Sequence, residues 1–154
     1  MTSPLQLCVR RTPASGGSAV ATQVRVRMPS EIDCIEQTVS LVTRHCLAGT
    51  APSERLRFRL QVALAEALAN AVMRGNQEGV GKSVLVDAEL FPDRIRVHIT
   101  DEGVGFDPTQ VPEPVLPEQI SDTCGRGLFL IRKLADEVHF NEQGNSICMT
   151  LRRR

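Results

Sequence analysis

A long helical period between Pro52 and Gly75 constrains the fold of this chain more than any other feature of the sequence. Apolar residues recur there every three or four positions, which is the spacing of one face of an α-helix. The recurring positions are Leu56, Leu60, Ala63, Leu64, Ala67, Leu68, Ala71 and Val72. Ser53 and Glu54 open the period, and Gly75 ends it. A helix with such an apolar stripe has to pack against a second layer.

Alternating apolar and polar residues predict the strands of that second layer. The predicted strands are residues 20–28, 84–90, 95–100, 137–141 and 146–151. Two further helices are predicted, over residues 30–47 with Ser30 as its cap, and over residues 128–136. This order of elements predicts an α+β fold, a two-layer sandwich with helices on one face of a mixed, mostly antiparallel sheet.

Composition and charge exclude several classes of protein. The 18 basic and 18 acidic residues cancel, and aromatic residues are 3% of the chain, so neither a broad positive field nor base stacking favours nucleic-acid binding. No apolar run reaches the length of a membrane span. The five cysteines form no C-x-x-C pair, and their odd number favours a reduced, cytoplasmic setting. The three histidines show no metal-ligand spacing.

The chain is expected to hold one domain. Residues 1–19 lack the pattern of a signal peptide and are predicted to be a disordered lead-in, followed by a domain over residues 20–154. Residues 108–124 carry four prolines and no clean period. A loop of this length inside a compact domain is typical of a lid, so a lid is predicted there.

Glu66 and Asn70 are the first candidate site residues. Their spacing of four places both side chains on one face of the predicted helix, among small alanines. One interpretation is that they hydrogen-bond each other or reach solvent. The other is that the Asn70 amide oxygen binds Mg²⁺ and that Glu66 acts as a base.

Two glycine-containing segments are the other candidates. Asp101 directly follows a predicted strand and precedes Gly103 and Gly105, so its carboxylate can accept a hydrogen bond from an adenine amino group beside a flexible turn. Gly125 and Gly127 precede an apolar helical segment, where free backbone N–H groups would face a phosphate. Each segment alone is also typical of an ordinary turn or helix start.

The three motifs together resemble a known superfamily. E-x-x-x-N, D-x-G-x-G and G-x-G occur in the order of the N, G1 and G2 boxes of the GHKL ATPases and kinases, and the resemblance covers roughly residues 20–151. The amino-acid sequence at residues 66–71, 101–108 and 125–138 is similar to that of the bacterial anti-sigma-factor serine kinases.

This resemblance implies a Bergerat-type ATP-binding sandwich within a histidine-kinase-like ATPase and serine kinase domain. Asn70 would hold Mg²⁺, and Asp101 would contact the adenine amino group. Gly103 and Gly105 would shape the adenine side of the pocket.

The resemblance also implies roles on the phosphate side. Gly125 and Gly127 would flank the phosphates of ATP, with Arg126 between them. Glu66 would be the general base that activates a serine hydroxyl on a STAS-domain anti-anti-sigma protein, and the chain would then be a protein serine/threonine kinase. The same protein would sequester a sigma factor, and the family is often dimeric.

The sequence departs from the family pattern at two places. Some members carry an arginine shortly before the second glycine box, whereas here the arginine is Arg126; it either serves the phosphates or faces solvent. The segment after the N box often reads His-Gly or His-Ala, and here Arg74 precedes Gly75. Arg74 is therefore given no catalytic role.

Other classes of protein carry the same three motifs, and the sequence disfavours all but one of them. A sensor histidine kinase needs a phosphoacceptor helix, and His45 lies on a predicted core helix without the usual acidic neighbour. Gyrase-type ATPases need a further transducer domain. The remaining alternative is an ATP-binding switch that sequesters a partner without phosphorylating it, and the presence of Glu66 favours the kinase.

Overall fold

The computed structural model describes residues 5–11, 22–48, 53–77, 79–105, 107 and 123–153. These ranges contain six strands, which are β1 (Gln6–Arg11), β2 (Thr22–Pro29), β3 (Ser83–Leu90), β4 (Arg94–Thr100), β5 (Glu137–Phe140) and β6 (Ser146–Arg152). The same ranges contain three α-helices, which are α1 (Ile35–Cys46), α2 (Glu54–Asn70) and α3 (Thr123–Leu134). A 3-10 turn, Ile32–Cys34, precedes α1, and a π-helical turn, Ala71–Gly75, extends α2.

The strands form one sheet in the order β1-β2-β3-β4-β6-β5. Every pairing among the described strands is antiparallel, so the sheet is more regular than the mixed sheet that the sequence predicted. The register brings apolar residues into one row across all six strands. From edge to edge this row is Val9, Val24, Ala88, Val97, Met149 and Val138.

The core lies between this sheet and the helices. Along β3 and β4 every second residue is buried, as expected for strands with one covered face. The buried strand residues join those of the three helices in a single apolar cluster. On the opposite face, Arg25 forms an ion pair with Asp87 at 2.9 Å. The predicted α+β two-layer sandwich with helices on one face is confirmed.

Helix α2 is the element that the sequence described best. Ser53 caps it by accepting a hydrogen bond from the backbone N–H of Leu56 at 3.1 Å. The predicted apolar stripe is buried, with Leu60, Leu64 and Leu68 at 0% exposure. The helix ends at Asn70, and the π-helical turn carries the chain to the predicted stop at Gly75.

Strand β1 was not predicted, and the expectation of a disordered lead-in is wrong for Gln6–Arg11. This strand pairs with β2 along its whole length. Leu7 and Val9 lie on the helix-facing side of the sheet but remain 41% and 39% exposed, because β1 is the edge strand. The predicted lid lies outside the described residues over positions 108–122, and its last two positions, 123 and 124, belong to α3.

Ser30 does not cap the first helix as predicted. Its side chain is buried, and its Oγ accepts a hydrogen bond from Nδ2 of Asn76 at 2.9 Å. Glu31 precedes the 3-10 turn without making a side-chain cap. Within the ranges that the structure covers, no helix is long and apolar enough to cross a membrane.

Candidate functional site

Glu66 and Asn70 lie near the carboxyl end of α2, just before the π-helical turn. Both residues are half-buried, whereas Ala63, Ala67 and Ala71 beside them are buried in the core. The two polar residues therefore face away from the sheet. A π-helical turn at this place is notable because such turns often occur at functional sites.

Gly127 on α3 lies against this polar pair. A methyl group added to Gly127 would lie 3.0 Å from Oε2 of Glu66 and 3.2 Å from Nδ2 of Asn70. Both distances are tighter than ordinary van der Waals contact, so a side chain at residue 127 would press on both polar groups. The packing of α3 on α2 thus brings the first and third sequence motifs together.

The start of α3 differs from the prediction. The helix begins at Thr123, two residues before the glycine pair, rather than at Leu128. Only the first four N–H groups of a helix lack a partner within it, and Gly127 is the fifth residue. Its backbone N–H is therefore not free for a phosphate, whereas Gly125 lies in the first turn. The side chain of Arg126 lies outside the described residues.

Asp101 occupies the first position after β4. Its backbone N–H donates to the carbonyl oxygen of Asn145 at 2.9 Å, which anchors the turn to the loop between β5 and β6. Its own Oδ1 accepts a hydrogen bond from the backbone N–H of Gly103 at 2.7 Å. The second carboxylate oxygen, Oδ2, lies next to Gly75.

The carboxyl group of Asp101 is partly withdrawn from water. Burial raises its pKa above the ordinary value of 3.8, although the Gly103 N–H and the Lys82 ammonium act in the opposite direction. Oδ1 of this partly buried carboxylate is bound to the Gly103 N–H, and the other oxygen, Oδ2, is suited to accept a hydrogen bond from a ligand.

Glycines are required around this carboxylate by close contacts. A Cβ atom at Gly75 would collide with the Asp101 carboxylate, and one at Gly103 would collide with the carbonyl oxygen of Gly75. Gly105 has a φ of +82°, and a Cβ there would collide with the carbonyl oxygen of Gln143. The turn after β4 is thus held closely between the end of α2 and the β5–β6 loop.

Gly75 and Asn76 lie against the candidate site residues, and sequence reasoning did not predict this. Asn76 is fully buried at 0% exposure, and its Oδ1 accepts the backbone N–H of Glu102 at 2.7 Å. The carboxylate of Glu102 accepts hydrogen bonds in turn from the backbone N–H and the hydroxyl of Ser83. The one available signal was a polar residue directly after the glycine that ends a helix.

The chain also matches known proteins. A family model described as a histidine kinase-like ATPase domain matches residues 28–151. A serine-protein kinase RsbW from Bacillus cereus (strain AH187) is 32% identical over 139 residues, which cover 83% of each chain. One from Bacillus thuringiensis subsp. konkukian (strain 97-27) is 27% identical over 141 residues, with the same coverage. The serine-protein kinase RsbW of Bacillus subtilis (strain 168) is 35% identical over 98 residues, covering 59% of this chain and 61% of the relative.

Proposed function

The chain belongs to the histidine kinase-like ATPase domain family, and from this premise we propose that it is a Mg-ATP-dependent protein serine kinase and anti-sigma factor. ATP binding follows from the family, and a kinase activity follows from relatives that are named serine-protein kinases. The proposed phosphoryl acceptor is a serine on a STAS-domain anti-anti-sigma protein, and the proposed sequestered partner is a sigma factor. The observation that carries the proposal is the convergence of Glu66, Asn70 and Gly127.

The turn after β4 is proposed to recognise adenine. Oδ2 of Asp101 would accept a hydrogen bond from the adenine amino group, while Oδ1 is held by the Gly103 N–H. The backbone is closely packed there, since side chains at Gly103 and Gly105 would collide with neighbouring carbonyl groups. Such packing fixes the direction of the carboxylate, which supports this role.

Asn70 is proposed to bind the magnesium ion. Its amide oxygen is a hard donor of the kind that Mg²⁺ prefers, and the absence of a side chain at Gly127 avoids a clash with its amide group. In the described part of the chain, no three His, Cys, Asp or Glu side chains are grouped closely enough to hold a metal ion. A single amide oxygen, that of Asn70, fits a magnesium ion that takes one or two protein ligands and completes its shell with phosphate oxygens and water. Bound there, the ion would neutralise charge on the phosphates.

Glu66 is proposed to be the general base. It lies one helical turn before Asn70 and, like Asn70, lies against Gly127, so it is next to the proposed position of the phosphates. In the proposed phosphoryl transfer, the serine oxygen forms a bond to the γ-phosphorus of ATP while the bond between that phosphorus and the oxygen of the leaving ADP breaks. The hydroxyl proton passes to the Glu66 carboxylate.

The amino-terminal turn of α3 is proposed to contact the phosphates through Gly125, because the first four N–H groups of a helix have no partner within the helix and its amino-terminal end is positive, which favours anions. Gly127 would allow α3 to pack closely against Glu66 and Asn70 rather than donate a hydrogen bond. Arg126 is kept as a proposed phosphate contact.

The test of this proposal is phosphoryl transfer to a purified STAS-domain protein with labelled ATP. The wild-type protein should form acid-stable phosphoserine. Glu66→Gln keeps the shape of the side chain and should slow transfer roughly 10²- to 10⁴-fold while ATP affinity is retained. Glu54→Gln, an exposed carboxylate at the start of the same helix, is the matched control and should transfer at the wild-type rate.

Two outcomes would contradict the proposal in different ways. Unchanged transfer by Glu66→Gln would remove the assigned base. Bound ATP without any transfer by the wild-type protein would support the alternative, a switch that sequesters its partner without phosphorylating it. Co-elution with a sigma factor in the presence of ATP tests the anti-sigma role separately.

A further inference from the structure

Asn76 is a buried polar residue with several partners outside the proposed contacts with ATP. Its Nδ2 donates to Oγ of Ser30 at 2.9 Å and to the carbonyl oxygen of Ser83 at 3.0 Å. Its Oδ1 accepts from the backbone N–H of Glu102 at 2.7 Å. Because the residue is at 0% exposure, water cannot replace these partners.

The partners of Asn76 come from three separate parts of the fold. Ser30 follows β2, Ser83 begins β3, and Glu102 follows β4. The Glu102 N–H belongs to the peptide group directly after Asp101, so the hydrogen bond to Asn76 restricts the backbone that carries the Asp101 carboxylate.

Asn76 is also tied to the helix that carries the phosphate side of the site. Its backbone N–H donates to the carbonyl oxygen of Ala71 at 2.8 Å and closes the π-helical turn that extends α2. Gly75, directly before it, lies against both the Asp101 carboxylate and Gly103. Gly75 and Asn76 therefore connect the end of α2 to the turn after β4.

From this geometry we infer that Asn76 is a positioning residue that sets the purine selectivity of the site. It does so by holding the Asp101 turn against the end of α2, so that Oδ2 of Asp101 meets the 6-amino group of the base. This inference rests on the proposed contact between Asp101 and adenine. A purine with a 6-oxo group, as in ITP, would present an acceptor to that carboxylate and be rejected.

The readout is the ratio of the dissociation constants for ITP and ATP, measured by titration calorimetry with Mg²⁺. A variant that is merely less stable reduces the fraction of active protein but leaves this ratio unchanged. Asn76→Ala should lower the ratio about tenfold, a size typical of residues that share one hydrogen-bond network. Ser30→Ala removes one partner of Asn76 and should lower it less, which keeps the inference testable where Asn76→Ala does not fold.

Thr38→Val is the matched control. Thr38 is also at 0% exposure, and its hydroxyl donates to the carbonyl oxygen of Cys34 at 2.8 Å, one helical turn earlier. Removing this buried hydrogen bond should lower stability without changing the ITP to ATP ratio, because the bond is local to α1 and the turn before it.

A double-mutant cycle with Asp101→Asn separates this inference from the proposed function. If Asn76 acts through residue 101, Asn76→Ala should move the ratio in the opposite direction once Asp101 is replaced by asparagine, because the loosened turn then weakens the contact with the 6-oxo group of ITP. An effect of equal size and the same direction in both backgrounds would overturn the inference while leaving the adenine contact intact. If Asp101→Asn itself leaves the ratio unchanged, the adenine contact fails and this inference fails with it.

Discussion

Asp101→Asn should reverse the purine preference of the site without unfolding the protein. Oδ1 of Asp101 accepts the Gly103 N–H at 2.7 Å, and an asparagine can keep that hydrogen bond with its single amide oxygen. Its Nδ2 then replaces Oδ2 beside Gly75. A donor would face the adenine amino group, which is itself a donor, whereas the 6-oxo group of ITP would accept from it.

The magnitude follows from the one hydrogen bond that is exchanged. A hydrogen bond to a charged group contributes about 1.5–3 kcal/mol, which corresponds to a roughly 10- to 150-fold loss of ATP affinity. ITP affinity should rise in the same variant. Both affinities are measured by titration calorimetry with Mg²⁺, and thermal unfolding checks that the variant is folded. A folded variant that binds ATP as tightly as the wild type and gains nothing for ITP would refute the assignment of Asp101.

Three further predictions concern the phosphate side, pH and the core. Gly127→Ala adds a methyl group 3.0 Å from Oε2 of Glu66, so phosphoryl transfer should fall at least about tenfold. Alanine favours helix over glycine by up to about 1 kcal/mol, which offsets part of the cost of crowding Glu66 and Asn70, so calorimetry should show only a small change in stability, and a large drop in melting temperature would contradict this account. Because burial raises the pKa of Asp101 above 3.8, ATP affinity should fall as the pH is lowered through that raised value, whereas the Asp101→Asn variant should lack this step. The same shift disfavours ionisation in the folded state, so wild-type stability relative to Asp101→Asn should decrease as the pH rises through this window; chemical denaturation at several pH values tests the sign. Leu64→Ala, at a position with 0% exposure, should lower the free energy of unfolding by about 2–5 kcal/mol in the same assay, and a loss below about 1 kcal/mol would place Leu64 outside the tightly packed core.

The elements that were predicted correctly have strong local patterns. Helix α2 has a continuous apolar stripe and a capping serine, and β3 and β4 alternate buried and half-buried residues along their length. In each case the pattern reflects burial of one face, which neighbouring residues along the chain reveal. Strand β1 carries a similar alternation, with Leu7 and Val9 between Gln6, Cys8 and Arg10, but it is short and both apolar residues stay partly exposed at the sheet edge.

In the candidate site, too, some features could be predicted from neighbouring residues in the sequence and others depended on the packing of the fold. Glu66 and Asn70 could be assigned to one helix face from their spacing, and the polar turn beginning at Asp101 could be placed directly after a strand. The contact of Gly127 with Glu66 and Asn70 could not be predicted from the sequence, because it depends on how α3 packs on α2. The position of Gly127 in the second turn of α3 was also missed, since helix starts are poorly marked in sequence.

The sequence by itself determined the fold class, the three motifs and the helix face that carries Glu66 and Asn70, because periodicity and spacing are properties of neighbouring residues. The tertiary structure alone decided the position and the hydrogen-bond partners of Asn76. Its partners Ser30 and Glu102 lie 46 and 26 residues away, and packing of the sheet on the helices brings them within hydrogen-bonding distance. The collisions that make Gly75 and Gly103 necessary arise in the same way, since each involves backbone or side-chain atoms from another segment of the fold.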